Sequence, residues 1–232
     1  MKIRYLLVSA VLAATITGPG TDLQGQKQMT ILDYYRLLPD GVMNKYEIKN
    51  NGVKWTVITD GDYTAPMDPV VDLKNGYIKI EIENKGSYNT VEAGLFLARG
   101  KNPVLCLTDY TRGIGTGGDI HVFEYKNGKM IKIGKGIIPK LSYGMFLDEK
   151  YDDSKIRDTG NFENLITVLF IIPRTGTTIK AYLDCSLLDY NVNDPERLKI
   201  HRDFMKNVKY RTIDLEWNSV DGKFTIGKKN KN

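Results

Sequence analysis

The stretch Val122-Phe123-Glu124-Tyr125-Lys126-Asn127-Gly128-Lys129-Met130-Ile131-Lys132-Ile133 constrains this chain more than any other. Asn-Gly between two runs of β-branched and aromatic residues specifies a two-residue type I′ turn, because both central residues of that turn need φ > 0 and these two tolerate it best. A tight hairpin over 120–133 follows. Upstream, Lys74-Asn75-Gly76-Tyr77-Ile78-Lys79-Ile80 repeats the turn and the alternation after it. Downstream, Leu215-Glu216-Trp217, Asp221-Gly222-Lys223-Phe224 and Ile226-Gly227-Lys228 repeat the order with a longer turn.

The echo extends backwards from the second and third copies. Leu95-Phe96, a turn at Arg99-Gly100, then Val104 to Leu107 and Asp109-Tyr110 precede one. Leu169-Phe170, a turn at Arg174 to Gly176, then Ile179 to Leu183, Cys185 and Asp189-Tyr190 precede the other. Each half then reads as an antiparallel four-stranded unit that needs a neighbour to cover its apolar face. Chance recurrence of strand and turn in a β-rich chain is the alternative to a duplication.

Ahead of these units stands a segment that reads as a secretory signal peptide, residues 1–25. Lys2 and Arg4 form a short basic start, Leu6 to Ile16 is apolar but too short to span a bilayer, and small or polar residues run from Thr17 to Gly25. The expected protein is exported (periplasmic, cell-surface or extracellular), and its mature form does not span the membrane. With 41% apolar and 26% charged residues the remainder has an ordinary globular composition. The net charge of +5 is spread along the chain, with a dense basic run only at Lys228, Lys229 and Lys231, which reads as a frayed, solvated tail. Nucleic-acid binding would want a clustered stripe, so no nucleic-acid partner is expected.

Thr30 to Pro39 is a short helix candidate. Thr30 caps, Asp33 reaches back, Ile31, Tyr34, Tyr35 and Leu38 share one side, and Pro39 with Gly41 stops it. The Leu32-Asp33-Tyr34-Tyr35-x-x-Leu38-Pro39-Asp40 opening after a signal peptide, with Asp72-Leu73-Lys74-Asn75-Gly76-Tyr77 and Phe123 to Lys129, resembles a group of uncharacterised exported bacterial proteins. The resemblance spans about the first two thirds of the chain, and its motifs are structural rather than catalytic. It implies export and a shared fold, with no activity to carry over.

Strands are expected at Lys54 to Ile58, Tyr77 to Ile82, Val91 to Leu97, Val104 to Leu107, Ile120 to Tyr125 and Met130 to Ile133, from period-2 alternation and Gly, Asn, Asp and Pro punctuation. Gly134 to Asp158 reads as a long connection ending in a charged run. Leu165 to Ile172, almost continuously apolar, reads as a central strand covered on both faces. One longer helix follows, with Asp194 as cap, Pro195 at its first position, and Leu198, Ile200, Phe204, Met205 and Val208 on its apolar side. The fold class is therefore mainly β (α+β): antiparallel sheets of hairpin units, a short N-terminal helix and one helix in the C-terminal half. The divisions are 26–145, a β-rich half, and 146–232, a hairpin, helix and hairpin half, with a single body as the alternative.

Candidates for chemistry are few. Gly113 to Gly118 matches G-x-G-x-x-G as a string, but a strand, Asp119 to Phe123, follows where a dinucleotide site needs a helix. The looser reading is a polar ligand site of Asp109, Tyr110, Arg112 and Asp119 around the glycine loop. His121 and His201 lack local partners for a metal site, and Asp60-Gly61-Asp62-x-Thr64 lacks the Gly and the final acid of a calcium loop. No metal, cofactor or catalytic set is expected. Cys106 and Cys185 are a candidate disulfide: export permits one, two cysteines leave one pairing, and both precede an Asp-Tyr in matching places. The sequence thus points to a non-catalytic exported binding or envelope-associated protein with a protein or glycan partner. The alternative is a secreted hydrolase acting on a polysaccharide or envelope polymer.

Overall fold

A computed structural model describes residues 29–42, 46–58, 68–84, 87–112, 117–134, 136–152, 154, 166–185 and 195–231. Six strands, β3 (Val70–Asp72), β4 (Tyr77–Asn84), β5 (Ser87–Phe96), β6 (Val104–Arg112), β7 (Gly117–Lys126) and β8 (Lys129–Lys132), form one antiparallel meander in chain order. The β7–β8 turn is the two-residue turn the sequence specifies: Asn127 has φ 52° and Gly128 φ 79°. The signal-peptide segment, the Asp60 to Thr64 motif, Gly113 to Thr116, Asp189-Tyr190 and the Asp194 cap lie outside the described residues.

One face of this sheet is covered from the N-terminal side. Helix α1 (Ile31–Arg36) begins at Thr30, whose hydroxyl accepts from Asp33 N while the Asp33 carboxylate accepts from Thr30 N at 2.7 Å, a reciprocal cap. Its Ile31, Tyr34 and Tyr35, with Leu38, pack on Ile78, Ile80, Ile82, Val91, Ala93, Leu105, Leu107 and Phe123. A two-stranded ribbon, β1 (Glu47–Asn50) and β2 (Trp55–Ile58), adds Ile48, Trp55 and Val57 to that core.

The opposite face meets a second antiparallel sheet, ordered β12-β11-β10-β9 and built from β9 (Thr167–Ile171), β10 (Thr178–Asp184), β11 (Thr212–Asn218) and β12 (Lys223–Asn230). Tyr77, Phe96, Val104, Cys106 and Val122 of the first sheet pack against Ile172, Ile179, Leu215 and Phe224. Strand β6 buries side chains on both faces, which is why Val104 to Leu107 is an unbroken apolar run. The expected central position of Leu165 to Ile172 is corrected: β9 is an edge strand. It is apolar because it crosses the first sheet. Ile172 lies over Gly94 of β5, and Leu169 over Gly118 of β7, so close that a Cβ on Gly94 would stand 2.5 Å from Ile172 Cγ2 and one on Gly118 2.8 Å from Leu169 Cδ2. Only glycine permits that approach.

Past this crossing, the second sheet is covered by its own connections. Residues 136–147, with a 3₁₀ turn at Tyr143–Phe146, bring Leu141 and Phe146 onto Ala181 and Ile213. Helix α2 (Pro195–Lys206) sets Phe204, Ile200 and Met205 against Leu147, Ile166 and Cys185. The expected frayed tail is also corrected, since Lys228 and Lys229 belong to β12, which stays paired with β11 past a shift of register between Leu215 and Ile213 and ends with Asn230 opposite Thr212. No bond joins Cys106 and Cys185: both are thiols, in different clusters. Cys106 is enclosed between the sheets, whereas Cys185, just beyond the end of β10, packs beneath α2.

Candidate binding cavity

Strand alternation decides which side chains of β6 and β7 meet. On β6, Leu105 and Leu107 point into the core under α1, so Asp109 and Thr111 continue on that face. On β7, Asp119, His121 and Phe123 share it. The register pairs Asp109 with Asp119, Leu107 with His121 and Thr111 with Gly117. Where the cover of α1 ends, this face opens into a cavity of about 640 Å³. Its wall is Pro39, Gly41 and Val42, immediately after the helix, and Lys132 of β8 stands at its far side.

The floor carries two carboxylates in directly opposite positions, with Cβ atoms separated by about 4.5–5.5 Å, an arrangement that repels unless a cation or hydrogen-bond donors lie against it. Ionised carboxylates only accept, so a ligand set against this pair would be one that donates. His121 feels opposing influences. Burial pushes its pKa down and Lys132 adds to this, while Asp119 and Asp109 pull it up; the net direction is down, toward a neutral imidazole. The cavity therefore runs from an acceptor pair, past an imidazole able to donate or accept, to an ammonium.

Of the four residues the sequence singles out, Asp109 and Asp119 meet in this cavity. Tyr110 does not: it is 4% exposed on the other face, where a Cβ on Gly118 would approach its Cβ at 2.7 Å. Neighbours in a strand point to opposite sides, so Asp109 and Tyr110 cannot both face one site. Arg112 ends β6, and its side chain lies outside the described residues. Sequence reasoning passed over Thr111, His121, Lys132 and the wall at Pro39 to Val42. Alternation from Phe123 places His121 on this face, but nothing local links residues near 40 to residues near 120. Among the described residues no group of three or more His, Cys, Asp and Glu is placed to hold a metal, and no helix is long and apolar enough to cross a membrane.

No family model and no curated protein matches the chain. Among solved structures, a domain of an uncharacterized protein from Porphyromonas gingivalis W83 is similar to it, with a TM-score of 0.46 and 9% identity, over 65% of this chain and 75% of that one.

Proposed function

We propose that this is an exported, non-catalytic binding protein that holds a small polar ligand in the cavity between α1 and β6–β8. The observation that carries the reading is the cross-strand pair Asp109 and Asp119 on the floor of a cavity of about 640 Å³, a size within the usual range for small-molecule sites. A saccharide unit suits the chemistry: its hydroxyls donate to the two carboxylates, and its ring and carbonyl oxygens accept from Lys132 and Thr111. Ligand screening by thermal shift against neutral and amino monosaccharides tests this, because a ligand at about 100 times its Kd stabilises the fold by about 2.7 kcal/mol. Asp109→Asn with Asp119→Asn should abolish the shift in a variant that still unfolds cooperatively without ligand. A shift that persists in the double variant would refute the assignment.

The same pair supports one rival. Retaining glycosidases need two carboxyl groups about 5–5.5 Å apart; opposite positions on paired strands set the Cβ atoms about 4.5–5.5 Å apart, which leaves that carboxyl separation within reach of the two side chains. Reducing sugar released from a polysaccharide by the wild type, and lost in Asp119→Asn, would favour the hydrolase over the binding protein.

A further inference from the structure

We propose that the free edge of β7 at Gly118 to Ile120 takes up an extended peptide as an added strand, with a lysine or arginine of that peptide beside Asp119. Strand β7 runs from Gly117 to Lys126, but β8 pairs only with Phe123 to Lys126, and Ile133 N ends that lane by donating to Val122 O at 2.8 Å. This bond fixes how the backbone of β7 is turned. Val122 faces the β8 side, whereas Tyr125 N donates to Pro103 O, on the β6 side, at 3.3 Å. Backbone direction alternates along a strand, so Ile120 and Gly118 turn their N–H and C=O groups away from β6, as Val122 does. Beyond Ile133 the chain leaves the lane, and Ile137 and Ile138 lie against the layer between the sheets. Among the described residues nothing pairs with the outward groups of Ile120 and Gly118. The outer edge of β12, by contrast, is engaged at Phe224, whose N donates to Ile137 O at 2.7 Å.

The partner class follows from these groups. Two N–H and two C=O groups at strand spacing match another extended peptide backbone, which in antiparallel register satisfies all of them. Space is open on the approach: a Cβ at Gly117 would meet nothing within 4 Å, nor would one at Gly134, where the lane clears. The residue of the incoming strand opposite Asp119 shares its face, the one that opens into the cavity, with the two Cβ atoms about 4.5–5.5 Å apart. Asp119 is exposed there, and Asp109 stands opposite it on β6. A cation in that place is attracted, and an acid repelled. The same charge argues against a second copy of this chain as the occupant. Antiparallel pairing of two β7 edges through both free residues sets Gly118 opposite Ile120 of the second copy, and therefore Asp119 opposite its own counterpart, a destabilising pair of like charges. The inference goes beyond the small-ligand reading of the cavity and does not rest on it, since the bonds are made by backbone groups.

The probe is a blocked pentapeptide, acetyl-Val-Lys-Val-Thr-Thr-amide, which starts opposite Ile120 and sets its lysine opposite Asp119. It would be titrated into the isotope-labelled mature chain and followed by NMR. The expected result is saturable shifts of the Gly118 and Ile120 amides, with slowed hydrogen exchange at both. Affinity should fall by on the order of tenfold or more when both valines are N-methylated, which removes the donors to Ile120 O and Gly118 O while the protein stays unaltered. It should fall about fivefold when glutamate replaces the lysine, and Asp119→Lys should reverse that preference. Equal affinity for the N-methylated peptide, a preference for lysine that Asp119→Lys leaves standing, or no shift at millimolar peptide would overturn the proposal. So would protection of the two amides that grows with protein concentration alone, which would assign the edge to a second copy. Monosaccharide binding without peptide binding would remove this inference and leave the cavity reading in place, and the reverse result would do the opposite.

Discussion

Glu92 of β5 is 3% exposed between the two sheets, an expensive place for a carboxyl group unless both oxygens are engaged. They are: Oε1 accepts from Tyr77 Oη at 3.0 Å and Oε2 from Ile172 N at 2.8 Å, so one side chain ties β9 to β5 across a gap that no strand ladder bridges. Burial raises its pKa above the ordinary 4.5, against the lowering effect of these two donors and Lys79. A raised carboxyl pKa means the folded state favours the protonated form. Glu92 therefore contributes most below its unfolded pKa, and that contribution is lost as pH rises through the folded value. Glu92→Gln keeps the shape and cannot titrate. In urea melts between about pH 4 and pH 8, the stability advantage of the wild type over this variant should shrink with rising pH; a constant difference would refute the account. Two residues along, Gly94 serves the same junction by absence. Gly94→Ala places a methyl against Ile172 Cγ2 and should cost about 1–3 kcal/mol, unlike Gly41→Ala, which meets nothing within 4 Å.

The turns join the elements at the corners of the sandwich. Trp217 Nε1 donates to Leu97 O at 2.9 Å, Arg99 N to Ser219 O at 2.7 Å and Lys101 Nζ to Asp221 O at 2.6 Å, fastening the β5–β6 turn to the β11–β12 turn. At another corner Arg174, in the β9–β10 turn, donates to Asp72 at the end of β3 at 2.8 Å. The Asn75 side chain and this guanidinium hold the Asp72 carboxyl down at about 2. A depressed pKa gives stability that is present above the unfolded value near 3.8 and lost as pH falls toward 2. Arg174→Ala should raise the Asp72 pKa, measurable by NMR titration of its carboxyl carbon, and should make acid unfolding begin at higher pH; an unmoved titration would show that Asn75 alone sets it. Elements of this kind differ in how far the sequence reveals them. The Asn127-Gly128 turn and the Thr30–Asp33 cap were legible because their physics lies within four residues. The edge position of β9 was not, since an apolar run records only that both faces are covered, and what covers this one is β5 to β7, some 50–80 residues earlier.

For the whole molecule, the candidate cavity was half legible: the glycine loop flagged Asp109 and Asp119, while alternation, applied strictly, would have removed Tyr110 at once. Its wall arises from packing between distant segments, Pro39 to Val42 against β6–β8. Four-strand meanders follow one another as β5–β8 and β9–β12, in the same order, with the glycine loop in one and α2 in the other between the second and third strands. Whether such halves unfold separately depends on the layer they share. That layer is apolar and contains Phe96, Cys106, Ile172, Ile179, Leu215 and Phe224, fully or nearly fully buried, so separating the sheets exposes the core of both. The chain should then unfold in one cooperative transition. Its two tryptophans are placed to report on this: Trp55 packs in the layer under α1, and Trp217 lies beside Phe96 and Phe224 with ring centroids 5.5 and 4.9 Å away. Trp55→Phe and Trp217→Phe variants, each retaining one emitter, should give urea midpoints that coincide with the far-ultraviolet circular dichroism midpoint of the same variant. Fluorescence that moves ahead of the dichroism in either one would show that the sheets separate before they unfold.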